Sequence, residues 1–470
     1  MRENGGGAIS RCGGEFVPLH GNCRGQVESE PLSAAGNAVK QVHRPNLPAN
    51  APGASSAGLL WQLLKGPRRL LHRAAILVRM SELAYEQNKH PYPRFAQKRE
   101  LNMKVGASFF CQNFFRAEKP DWQIYREDLE LADMVEPLGF DSIWAVEHHF
   151  SPYTMIPDVV QFLTYMAGRT SRIGFGTMVV VLPWHDPVRA AEQIAMLDIY
   201  CGDRELTLGF GRGSGRIEYN GFRVSMSESR DRFNEAADIV RLALTQPHFS
   251  YQGKYFQIPE MSIRPQPYHK NLTERFYGAI VSPETGDIMA RQGMGMLVIP
   301  QKPWAEHRKD YDHFLQSCAR FGQPAKKPMV VSFIYCAETE KEAQQGAETW
   351  MGNYADTAIR HYEYDEPEHF RKEKGYEFHT KMAEATKADS NAFREMFTKT
   401  QVYGTPDQCL ETLRTIAQTM DTAEYVAVFK YGGMPLESAK RSMKLFATEV
   451  LPHIQRGTSP VGQSAAAGGR

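Results

Sequence analysis

A chain of 470 residues, 42% of them apolar, is long enough to bury one oversized barrel or two to three ordinary domains. Its 55 basic and 54 acidic side chains leave a formal charge of +1, so nothing global points to nucleic acid or to an anionic membrane surface. No apolar run approaches the ~20 residues that span a bilayer. Seven scattered cysteines, without a CxxC pair, suit reduced thiols in a cytoplasmic protein.

The first hundred residues are rich in Gly, Ala, Ser, Asn and Pro and carry 14 Lys/Arg against 7 acids. That composition cannot offset its own ordering entropy, so residues 1–100 are expected to form a disordered basic leader. Within it, Leu59 to Leu64 followed by Arg68, Arg69 and Arg73 has the pattern of a basic amphipathic helix. A signal peptide fits poorly, because the apolar patch lies far from the start and lacks a small-residue cleavage context. The folded part is expected over residues 101–456, beginning at Met103-Lys-Val-Gly-Ala-Ser-Phe-Phe, with a disordered tail over 457–470.

From Met103 onward short apolar strands alternate with helical patterns, which is the signature of repeated βα units. Val105 to Phe110 reads as the first strand. Asp121 to Leu138 has helical apolar spacing, and Gly139 suits a C-terminal cap. Ser142 to Val146 is the second strand, Val159 to Ala167 a helix and Arg172 to Leu182 the third strand. Asp186 caps a helix starting at Pro187. Leu206 to Phe210 and a helix from Ser227 to Leu244 follow. Phe249 to Ile263 is a hairpin-like excursion. The alternation resumes with Phe276 to Val281, Pro283 to Gln292, Gly295 to Ile299, Pro303 to Phe321 and Met329 to Tyr335. The polar span Gly352 to Lys399 is too long for an ordinary connection and reads as a mobile lid or an insertion. Glu424 to Phe429 brings the strands to eight, which favours a (β/α)8 TIM barrel with insertions over an open sheet.

Three motifs carry chemistry. The second strand runs into Glu147-His148-His149-Phe150, at the rim where barrels assemble their sites. Neighbouring strand side chains face opposite ways, so His148 and His149 cannot readily grip one metal, and no further ligand motif is present. No metal is therefore assigned, although a metal-dependent hydrolase on Glu147, His148 and His149 remains a competing reading. Leu208-Gly-Phe-Gly-Arg-Gly-Ser-Gly215 is not a dinucleotide fingerprint, because Ser214 and Arg216 stand where the third glycine is needed. A glycine-rich strand end still lets a ligand approach the backbone, and Arg212 offers a fork for phosphate. Ser282-Pro-Glu-Thr285 reads as an N-cap and first helical turn, whose free N–H groups also suit an anion.

These residues resemble the bacterial luciferase-like family of flavin-dependent monooxygenases, over residues 103 to about 230 and around Ser282. The resemblance implies a luciferase-like barrel and an oxidoreductase that uses reduced FMN and dioxygen to oxidise a small organic substrate such as an aldehyde or ketone. It places His148 beside the flavin as the proton-handling catalytic residue. Arg212, Arg230, Ser282 and Thr285 fall where the family holds the flavin phosphate. Gly176-Thr-Met178-Val179 matches the strand whose cis peptide supports the flavin ring, here the bond between Met178 and Val179. A separate flavin reductase and a homodimer or heterodimer are implied as partners, without nucleic acid or membrane. Two departures argue against light emission: Gly211 replaces the luciferase cysteine, and Tyr354 to Lys381 has no match. A non-catalytic flavin-binding partner subunit and a deazaflavin-dependent oxidoreductase are the alternatives.

Overall fold

The protein is described by a computed structural model covering residues 102–116 and 118–455. The expected leader, its amphipathic helix and the tail lie outside the described residues.

The elements follow the alternation read from the sequence. They begin with β1 (Lys104–Phe109), α1 (Asp121–Ala132), β2 (Ser142–Ala145), α2 (Val159–Ala167), β3 (Gly174–Val181), α3 (Pro187–Cys201) and β4 (Leu206–Gly211). Next come α4 (Arg216–Phe222), α5 (Ser229–Thr245), the strands β5 (Phe249–Gln252) and β6 (Gln257–Met261), β7 (Phe276–Ala279), α6 (Pro283–Arg291), β8 (Gly295–Val298), α7 (Trp304–Phe321) and β9 (Met329–Cys336). The last third holds α8 (Glu340–Gly346), α9 (Gly352–Tyr362), α10 (Pro367–Arg371), α11 (Glu377–Ala388), α12 (Ser390–Thr400), β10 (Val402–Gly404), α13 (Pro406–Met420), β11 (Glu424–Val428), α14 (Leu436–Glu449) and α15 (Leu451–Ile454).

Eight parallel strands close into a ring in the order β1-β2-β3-β4-β7-β8-β9-β11 and back to β1. This is a (β/α)8 barrel. Parallel strands covered by helices are buried on both faces, which is why β9 reads as the unbroken run Met-Val-Val-Ser-Phe-Ile-Tyr-Cys, buried at every position. β5 and β6 form the antiparallel hairpin expected at 249–263. β10 extends the far end of β9 outside the ring.

Inside the barrel Trp144 is fully buried, and a Cβ at Gly176 on the neighbouring strand would come within 2.3 Å of its ring. The missing side chain is therefore what admits the indole. Asp158, Asp186 and Ser282 accept backbone N–H bonds at the starts of α2, α3 and α6, as N-caps do.

One expectation changes, and of the two readings of residues 352–399 the insertion is the one found. The first helix stops at Ala132 rather than Leu138: Met134 and Val135 bond three residues back, and the tightened turns bury Val135 completely before Gly139 reverses at φ 88. The span 352–399 is a packed insertion of helices α9 to α12, with Tyr354, Tyr364, Phe393 and Phe397 buried. Its polar residues line the outer faces of short amphipathic helices. No helix among the described residues is long and apolar enough to cross a membrane.

Candidate active site

At the C-terminal rim of the barrel two buried carboxylates divide the histidines between them. Glu147 leaves β2 towards one side. Its Oε1 accepts from His149 Nε2 at 3.0 Å and His185 Nε2 at 2.8 Å, and its Oε2 accepts the Val181 N–H at 2.9 Å. Burial alone would raise its pKa, but His185, His149 and the Val181 amide outweigh burial and hold it below the ordinary value. The competing metal set is not assembled, because His148 points away from Glu147.

His148 instead meets Glu218, on α4, through Nδ1 at 2.9 Å. The same Glu218 oxygen accepts the His149 backbone N–H at 2.9 Å. Burial pushes the Glu218 pKa up, yet His148 and then His361 bring it down to about 2. An ionised carboxylate only accepts hydrogen bonds, so Nδ1 of His148 carries the proton. His148 Nε2 then faces the Tyr362 hydroxyl at 3.1 Å. His361 completes the cluster: its Nδ1 lies 2.8 Å from Ser151 Oγ, and its Nε2 is 3.5 Å from Glu218, outside hydrogen-bond geometry. Burial keeps the His361 pKa below the usual imidazole range. Ligand atoms of His148, Glu218 and His361 lie within 4.8 Å of one another; Glu218 Oε1 is engaged by His148 and the His149 amide, while Oε2 is buried without a partner.

One cavity gathers the residues singled out from the sequence. His148, Met178, Val179, Arg212, Arg230 and Thr285 all line it. Ser282 lies directly behind, its hydroxyl 3.1 Å from that of Thr285. The Met178–Val179 peptide is cis. Arg212 and Arg230 both donate to the carbonyl of Gly375, and the Arg212 guanidinium stacks 3.9 Å from the Tyr376 ring centre. Burial lowers the Arg230 pKa, and the positive charge of Arg212 lowers it further. Among the described residues neither arginine has a carboxylate ion pair, and Arg212 Nη1 and Arg230 Nε are buried without an acceptor. Two adjacent guanidinium groups with orphaned N–H bonds, in a cavity that Thr285 also lines, fit a phosphate group.

The remainder of the cavity is apolar and aromatic, with Phe110, Tyr153, Phe333, Tyr354, Tyr362 and Tyr364 among its walls. Glu218, His361 and Tyr362 were given no role in the sequence reading. They stand 70 to more than 200 positions from His148, and one sequence carries no signal for such pairings.

Comparison with known proteins gives the class of protein that this barrel and rim belong to. The sequence pattern of luciferase-like monooxygenases matches residues 103–423, and the chain belongs to that family. It is 27% identical over 230 residues to the oxygenase component of the flavin-dependent trigonelline monooxygenase of Acinetobacter baylyi, covering 48% of this chain and 63% of that one. The monooxygenase RslO1 of Streptomyces bottropensis superposes with a TM-score of 0.62 at 27% identity, covering 75% of this chain and 99% of that one. The oxygenating constituent of 3,6-diketocamphane monooxygenase from Pseudomonas putida, a type II Baeyer–Villiger enzyme solved with FMN, shares the fold with a TM-score of 0.59 at 17% identity and the same coverage.

Proposed function

We propose that this monooxygenase takes reduced FMN from a separate flavin reductase and uses it with dioxygen to oxidise a small organic molecule, an aldehyde or ketone. The pair of orphaned guanidinium groups in the cavity that Thr285 lines carries this reading, because a terminal phosphate supplies the acceptors they lack. When bound, the flavin would supply the electrons and activate dioxygen. The chain contributes the rest. Arg212, Arg230, Ser282 and Thr285 anchor the phosphate, and Met178 and Val179 support the ring. The aromatic walls exclude water and favour a flat, apolar substrate. His148 holds and moves a proton at Nε2. The failed dinucleotide fingerprint at Gly209–Gly215 supports a reductase on another chain.

The test compares two ligands. Arg212→Ala is expected to weaken FMN by about 10- to 100-fold, as loss of a charge-assisted fork should, while riboflavin changes little. Equal losses for both ligands in titration calorimetry would remove the phosphate role.

A further inference from the structure

The Glu218 cluster goes beyond this reading while resting on it. Glu218 is fully buried, its Oε1 is shared between His148 Nδ1 and the His149 amide, and its Oε2 has no partner. Such a group is costly to bury unless it serves its neighbours. What it does to His148 is definite: with Nδ1 committed as a donor, the lone pair of Nε2 is directed at Tyr362. Tyr362 comes from the last turn of α9 in the insertion, and it lines the same cavity as Met178 and Arg212. Burial, followed by the nearby Tyr364 and Glu218, drives its phenol pKa well up, so the resting hydroxyl is protonated and any phenolate formed is promptly reprotonated. Tyr153 and His361 pack around the same imidazole at 5.1 and 5.0 Å between ring centres, and Tyr153 shares a hydroxyl contact with Tyr354.

We propose that Glu218 is a positioning residue that fixes the tautomer of His148, and that Tyr362, supplied by the insertion, is the hydroxyl through which His148 exchanges its proton with the reacting oxygen. Two protons move in turn. The Tyr362 O–H bond breaks as an O–H bond forms on the accepting oxygen, and the Nε2–H of a His148 protonated beforehand by hydronium restores the phenol, leaving a neutral His148 whose remaining proton stays at Nδ1. No electron changes hands. The insertion is thereby part of the machinery as well as a cover over it.

Histidine-15N NMR of the full chain without flavin tests the first half, with His148→Ala assigning the signal. The wild type is expected to show His148 protonated at Nδ1 with a low-field proton, and Glu218→Gln to lose that low-field position. Tyr362→Phe, which removes one hydroxyl and keeps the ring, should leave the Nδ1 signal in place and shift the Nε2 resonance. It should also lower product formation by about 100-fold at unchanged FMN affinity. A wild-type His148 protonated at Nε2 alone, or wild-type turnover in Tyr362→Phe, would overturn the relay. Failure of the chain to bind FMN, with the Nδ1 tautomer observed, would instead sink the oxygenase reading and the relay's catalytic half with it.

Discussion

Glu424 shows what a single carboxyl costs when the barrel buries it. It sits at the opposite, N-terminal end of the barrel, where Oε1 accepts from Trp144 Nε1 at 2.9 Å and from the Ser142 hydroxyl. Burial raises its pKa to about 7, because the Ser142 and Trp144 hydrogen bonds and the Lys104 charge lower it too little to offset the lost hydration. The folded value lies above the unfolded one, so the folded chain binds the extra proton between the two, and stability falls as pH rises through that window. Glu424→Gln keeps both hydrogen bonds without the charge. It is expected to gain about 2–3 kcal/mol over the wild type between about pH 4.5 and pH 8, read from urea melts at each pH. A difference independent of pH would show that Glu424 titrates normally. Glu218 has the opposite sign. With its folded pKa near 2, its contribution is present above the ordinary carboxylate range and is lost only as pH falls towards 2.

Between elements the decisive contact is β3 against β4. The register shifts between Thr177 and Val180, at the cis bond, and turns Val179 towards the cavity. A Cβ at Gly211 would lie 2.5 Å from Val179 Cγ2. The glycine thus leaves the space that the valine uses. Gly211→Ala is expected to destabilise the protein by about 1–3 kcal/mol through overpacking. Val179→Ala should cancel most of that loss in the double variant, whereas additive losses in thermal melts would mean that the two side chains do not compete. How much was legible also differs between elements. The Asp186 and Ser282 caps were readable, because they depend on three or four consecutive residues. The early stop of α1 at Ala132 was not, since it follows from the burial of Val135 against the barrel.

For the molecule as a whole, the outer face of α2 and α3 stands out. Tyr165, Met196, Ile199 and Tyr200 are 41–51% exposed on these adjacent helices, and the last three share one helical face. Together they form an exposed apolar patch of the kind that can serve association. We propose that a second copy of the chain covers them. Met196→Glu combined with Tyr200→Glu is expected to halve the mass seen by sedimentation, and an unchanged mass would place the dimer contact elsewhere or nowhere.

Strand and helix alternation and the number of strands follow from local patterning, because hydrophobic period, caps and turn residues act within a few positions. His148, Arg212, Arg230, Ser282 and Thr285 were named because the short motifs that hold them resemble those of the luciferase-like family. Which of them share a cavity, which carboxylate each histidine serves, and the arrival of Tyr362 and Gly375 from an insertion more than 140 residues away were decided by closure of the barrel. Burial and charge pairing act through space, and that distance information exists only once the ring has closed and the α9–α12 helices have packed across its mouth.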